Sequence, residues 1–229
     1  MSHGSDFKSL AWGAVLLLLA ACVPLVANGY WMSIALTIAM FTVLATSWSL
    51  FSGPTHYISL ATAAFFGVGG YLVGTGMSDY NMGFWEIVVI APFVGAVLAF
   101  LIGIATLRLS GVYFVIFTLG LAEMIRTLVS WIQNNFTGSR GLYVLTDLTE
   151  ADIYIYLVIL AAMVYLVGWW VNRSRLGFAL RIIGNDETVA RHVGINTATS
   201  KVILFTFSGF VAALVGALIA PRYTYIEPN

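Results

Sequence analysis

Two pairs of opposite charge stand at helical spacing in a chain that has little charge to place. Glu123 and Arg126 are three residues apart in the apolar run GVYFVIFTLGLAEMIRTLVSWI, and Glu187 and Arg191 are four apart in NDETVARHVG. On a helix both spacings bring the side chains to one face, where the charges offset each other. An isolated charge inside an apolar span costs at least ~2.5 kcal/mol, so the first pair needs an interior or water-lined setting. Glu123 and Arg126 are either a structural ion pair or part of a translocation path or subunit contact. The second pair lies in a helix that Asn185 or Asp186 caps at its start and Gly194 stops at its end, leaving about two turns. Val189 and Val193 give it a small apolar strip, and Ala190 a small contact point. A helix that short is not stable alone in water, so it calls for a partner surface. The competing reading is a basic loop lying on anionic lipid headgroups.

Other chemistries find little support. His3, His56 and His192 are scattered without metal-ligand spacing, and the single Cys22 permits neither an internal disulfide framework nor a multi-cysteine metal site. No nucleophile has an evident nearby base, and no GxxxxGK[ST] phosphate loop occurs, so the reading is of no metal, no cofactor and no enzymatic activity. The remaining motif is SLATAAFFGVGGYLVG, in which Ala63 and Gly67, then Gly70 and Gly74, recur four apart. Small residues at this spacing allow close helix packing; alternatively, Gly67 and Gly70 break the helix and open backbone groups to a polar pathway.

The elements that carry these residues follow from composition. The chain has 229 residues, 60% of them hydrophobic and 9% charged, with a mean hydropathy of +0.94. Too little charge exists to cover a water-soluble globule, which makes this a polytopic membrane protein. Seven apolar stretches approach the ~20 residues a spanning helix needs: Leu10 to Ala27, Tyr30 to Ser52, Ser59 to Gly76, Phe84 to Leu107, Val112 to Ile132, Ala151 to Val171 and Val202 to Ala220. Their continuous apolar character favours helices over barrel strands, so the fold class is an all-α transmembrane bundle of about seven segments. The third, crowded with Gly and Ala, either spans or re-enters.

Residues 172–201 hold five of the ten Lys and Arg, and within them RSRLGFALRIIG reads as a basic interfacial stretch with its helix stop at Gly184. By the positive-inside rule that segment is cytoplasmic, with Arg108, Lys8 and the N-terminus, while residues 133–150 form an external loop. LLAAC at Leu18 to Cys22 matches a lipoprotein cleavage box, but apolar sequence continues beyond it, which favours a retained helix. NFT at Asn135 is a glycosylation sequon by pattern alone, and no acidic or basic tail points to nucleic acid.

Four stretches in order resemble a known family. They are GPTHYISLATAAFFGVGGY (Gly53 to Tyr71), LRLSGVYFVIFTLGLAEMIR (Leu107 to Arg126), TGSRGL (Thr137 to Leu142) and SRLGFALRIIGNDETVARHVGINTATSKVILFTFSGFVAALVGAL (Ser174 to Leu218). Together they are similar to the M-type permease subunits of ATP-binding-cassette importers for branched-chain amino acids. Ala61-Thr62 stand where Gly-His is usual, and the outer loop is one glycine short. The resemblance implies a single permease domain over 1–229 that lacks the C-terminal helices of the full family. It also implies a multi-pass protein of the bacterial inner membrane, acting with a second homologous permease subunit, two cytoplasmic ATP-binding subunits and an external substrate-binding protein, in contact with membrane lipid. In that setting Asp186, Glu187, Ala190, Arg191 and Gly194 couple the permease to its ATPase, and Glu123, Arg126, Gly67 and Gly70 belong to the translocation path or a subunit contact. A urea or short-amide importer and a self-contained ion-driven carrier or channel stay open as alternatives.

Overall fold

The computed structural model describes residues 3–25, 27–107, 109, 111–133, 135, 142–144, 146–223 and 225–226. Arg108 and the TGSRGL motif, apart from Leu142, lie outside the described residues. Every apolar stretch of the sequence forms a helix. In chain order these are α1 (His3–Ala21), α2 (Tyr30–Thr55), α3 (Thr62–Ser78), α4 (Phe84–Thr106), α5 (Val112–Ile132), α6 (Glu150–Arg173) and α9 (Thr197–Ile219); between the last two lie α7 (Arg175–Asn185) and α8 (Glu187–His192). Helices α2, α4, α5 and α6, and α9 with the turn that follows it, are long and apolar enough to cross a membrane. Helix α3 is an unbroken helix of 17 residues, about 26 Å at 1.5 Å per residue and somewhat short of the hydrocarbon thickness. A two-residue antiparallel pairing, β1 (Leu142–Tyr143) with β2 (Tyr225–Ile226), is a minor addition to the all-α bundle.

Helix ends are fixed by local chemistry. Thr149 caps α6: its hydroxyl accepts from the Asp152 N–H at 3.3 Å while the Asp152 carboxylate accepts the Thr149 N–H at 3.0 Å. Helix α2 ends at His56, which takes a left-handed conformation (φ 57°) and donates its N–H to the Ser52 carbonyl. At the far end of α9, Arg222 donates to the Ser33 and Thr37 hydroxyls at 2.7 and 2.8 Å and so ties that end to α2.

Helix α9 is the centre of the bundle. Of its apolar window 72% is buried, against 17% for α5, which stands at the periphery. It packs chiefly on α4, α3 and α2. The α3–α9 contact depends on small residues: a Cβ on Gly69 would fall 2.0 Å from the Ala213 carbonyl oxygen, and one on Gly216 would fall 2.0 Å from that of Phe66. Without a hydrophobic drive between helices in lipid, such close approach supplies the packing. The contact is made at Gly69, whereas Gly67, two residues earlier and so on the opposite side of the helix, has nothing within 4 Å of its would-be Cβ.

One boundary differs from the sequence reading. Gly184 was expected to stop the basic helix, but α7 runs through it to Asn185. Its role is steric: a Cβ there would meet the Pro54 carbonyl oxygen at 2.2 Å, so the missing side chain lets α7 rest on the end of α2.

Candidate functional site

Helix α8 is built as a capped unit. Asp186 takes an extended backbone and its Oδ1 accepts from the N–H groups of Thr188 (2.7 Å) and Val189 (3.2 Å). These bonds hold its carboxyl below the usual aspartate range. At the other end Gly194 adopts φ +83°, its N–H donates to Arg191 and the Ile195 N–H reaches back to Ala190. That is a Schellman stop, with glycine at the one position where an L side chain is strained. Asp186 rather than Asn185 is therefore the cap, and the helix is six residues long.

The expected Glu187–Arg191 pair forms at 2.8 Å, with Arg191 largely exposed. Glu187 has a second partner that the sequence reading missed. Lys201, in the second turn of α9, is 1% exposed, and its Nζ donates to Glu187 Oε1 and Oε2 at 3.0 and 3.1 Å, to the Leu107 carbonyl at 3.1 Å and to the Tyr57 hydroxyl at 3.3 Å. Tyr57 in turn donates to Glu187 Oε2 at 2.7 Å, and its ring lies 4.4 Å from the Lys201 Nζ. Burial raises the Glu187 carboxyl, but the hydrogen bonds from Tyr57, Arg191 and Lys201 outweigh it and bring it from 4.5 to about 2. The same burial, together with the adjacent carboxylate, raises the Tyr57 phenol well above its ordinary value. Thus one carboxylate on α8 is held by α9 and by the loop that leads into α3, and the lysine that holds it is tied in turn to the end of α4.

That loop is pinned from other sides. His56 Nδ1 lies 3.0 Å from the Gly184 carbonyl of α7, Trp48 donates to the Ser59 carbonyl at 2.8 Å, and the Leu60 N–H donates to the Thr118 hydroxyl of α5 at 3.2 Å. Glu187 therefore links α8 physically to the loop before α3 and to α9. Ala190 is fully buried in the chain's own bundle, whereas Val189 and Val193 are 50% and 67% exposed. The valines are thus the apolar side chains that α8 turns outward, beside the exposed Arg191.

Gly67, Gly70, Glu123 and Arg126 all line one cavity of about 520 Å³ between α3, α5 and the end of α9. The ion pair forms at 3.5 Å, with both side chains more than half exposed at the chain surface. Gly67 has open space in front of it, and Gly70 faces the Gly216 carbonyl at 3.6 Å. The four residues are thus brought together on α3 and α5, and the Leu60–Thr118 bond ties α5 to the loop that carries Tyr57 of the Lys201 junction.

Lys201 had a legible signal. Asn196 caps α9 through the Thr199 N–H at 3.1 Å, so an N-cap reading of Asn196 places Lys201 inside an apolar helix and not at the end of a basic loop. Tyr57 had none, since a tyrosine before an apolar helix is commonplace.

A multi-pass helical membrane protein with this capped helix between its last two spans fits a transport permease, and comparison with known proteins agrees. A family described as "Branched-chain amino acid transport system / permease component" matches residues 30–229. The chain belongs to that family. It is 26% identical over 258 aligned residues to the high-affinity branched-chain amino acid transport system permease protein LivM of Escherichia coli (strain K12), covering 99% of this chain and 60% of that protein, and equally similar to LivM of Salmonella typhimurium. A shorter match, 33% identical over 67 residues, covers 29% of this chain and 20% of the L-arabinose transport system permease protein AraH of Escherichia coli (strain K12). The chain spans about 60% of the length of the LivM proteins it matches. No solved structure matches it.

Proposed function

We propose that this chain forms the membrane-spanning permease domain, over residues 1–229, of an ATP-binding-cassette importer that moves branched-chain or related amino acids into the cytoplasm. It sits in the bacterial inner membrane with its N-terminus and residues 172–201 cytoplasmic and residues 133–150 outside. A second homologous permease, two ATP-binding subunits and an external substrate-binding protein complete the machine. The chain performs no bond chemistry itself; hydrolysis belongs to the ATP-binding subunits.

The observation that carries this reading is α8: a helix too short to hold alone, capped at both ends, anchored through Glu187 to the buried Lys201, and exposing Val189 and Val193. Asp186 and Gly194 fix its ends, Ala190 seats it, and Glu187 and Arg191 join it to the bundle and its surface. A push on the valine strip reaches α3 and α9, two of the walls of the cavity that Gly67, Gly70, Glu123 and Arg126 share. A charged pair on a span surface is costly against lipid, which favours water or the second permease on that face.

The test is uptake of a radiolabelled branched-chain amino acid into proteoliposomes carrying the chain with its cognate subunits. Uptake should require ATP and all partners. Uptake by the chain alone, driven by an ion gradient, would replace the importer with a self-contained carrier.

A further inference from the structure

A second cavity, also about 520 Å³, lies between α2, α6 and α7, away from the Glu187–Lys201 junction. Its two kinds of wall are chemically distinct. Leu50, Val164 and Gly168 supply an apolar side, and Trp169, Arg173 and Arg181 a cationic and aromatic one. The Arg173 guanidinium stacks 4.2 Å from the centre of the Trp169 ring. Arg181 donates only to backbone, to the Asn172 and Gly177 carbonyls, so no carboxylate among the described residues neutralises it. Arg173 ends a spanning helix, and the adjoining turns of α6 and α7 expose Leu166, Trp170 and Phe178. These place the cavity at the boundary between hydrocarbon and headgroups.

We propose that this cavity binds the phosphodiester headgroup of an anionic phospholipid. The phosphate would accept from both guanidinium groups, and an acyl chain would run along Leu50 and Val164. Two guanidinium groups match a phosphate's several acceptor oxygens, and the apolar wall favours a lipid over free phosphate. Such a lipid would hold α7 against α2 and α6, and so fix the base from which α8 projects. The binding itself stands whether or not the chain is an importer subunit.

The test is native mass spectrometry of the purified full chain, titrated with phosphatidylglycerol, phosphatidylcholine and inorganic phosphate. One phosphatidylglycerol should be retained ~tenfold more strongly than phosphatidylcholine, with no displacement by millimolar phosphate. Arg173→Gln with Arg181→Gln should remove that preference, while Arg175→Gln, outside the cavity, should keep it. Trp169→Leu removes the ring on which Arg173 stacks, so it should weaken binding severalfold even if the double arginine variant proves unstable. Equal retention of both lipids, unchanged binding in Trp169→Leu, or full displacement by inorganic phosphate would each overturn the proposal.

Discussion

Replacing Lys201 by Met removes the charge on which α8 is anchored while keeping most of the side-chain volume. Lys201 is 1% exposed and meets Glu187, Tyr57 and the Leu107 carbonyl. Losing one member of a buried pair costs ~3–5 kcal/mol, because the other charge is left behind. Glu187 keeps about a fifth of its side chain exposed and retains Arg191, which places the loss near the lower limit. About 3 kcal/mol corresponds to a roughly hundredfold shift in the opening of α8. Hydrogen exchange in lipid nanodiscs reads that opening directly, as a loss of protection in a peptide covering residues 186–195. Arg191→Gln breaks only the exposed pair and should shift exchange by no more than about 0.5 kcal/mol, a little over twofold. The double variant Glu187→Gln with Lys201→Met leaves no stranded charge and should regain most of the protection. If Lys201→Met exchanges like wild type, or no faster than Arg191→Gln, the anchoring argument fails.

Three further outcomes follow from the same geometry. Gly194→Val should destabilise the Schellman stop by about 1–2 kcal/mol, since no atom lies within 4 Å of a Cβ there and the strain is that of φ +83° alone; Gly194→Asn should recover much of it, and equal α8 exchange in both variants would contradict the assignment. Glu123→Ala should impair assembly or uptake by removing the carboxylate 3.5 Å from Arg126, and the double change Glu123→Ala with Arg126→Leu should restore assembly; recovery of uptake as well would reduce the pair to a structural role. Because the Glu187 carboxyl is lowered from 4.5 to about 2, its contribution to stability is complete above pH 4.5 and lost as pH falls toward 2; thermal unfolding in detergent should show that loss in the wild type and not in Glu187→Gln, and parallel pH profiles would refute it.

The sequence was readable where one local rule decided the outcome. Apolar runs located the spans, Asp186 and Gly194 bounded α8 because caps depend on adjacent backbone, and the spacing of Glu123 and Arg126 put them on one face. Contacts between distant segments were not readable. Lys201 joins Glu187, Tyr57 and Leu107 only through tertiary packing, and its place after a basic stretch disguised it as another loop charge. Gly184 looked like a helix stop because glycine often is one, while its actual constraint, the Pro54 carbonyl, lies 130 residues earlier in the chain. In α3 the four-residue repeat drew notice to Gly67 and Gly70, yet the close crossing with α9 falls on Gly69, a choice set by the partner helix.

The account rests most heavily on α8 as the surface that meets an ATP-binding subunit. Val189 and Val193 project from it, and neither takes part in the Glu187–Lys201 junction. Val189→Asp with Val193→Asp places two charges on the strip and leaves the spans untouched. The decisive measurement is co-purification of the cognate ATP-binding subunits together with substrate-stimulated ATP hydrolysis in the reconstituted complex. With membrane insertion and α8 exchange unchanged, the account predicts that both co-purification and stimulation are lost. Normal co-purification and full stimulation in that variant would show that the valine strip meets no partner and would contradict the account.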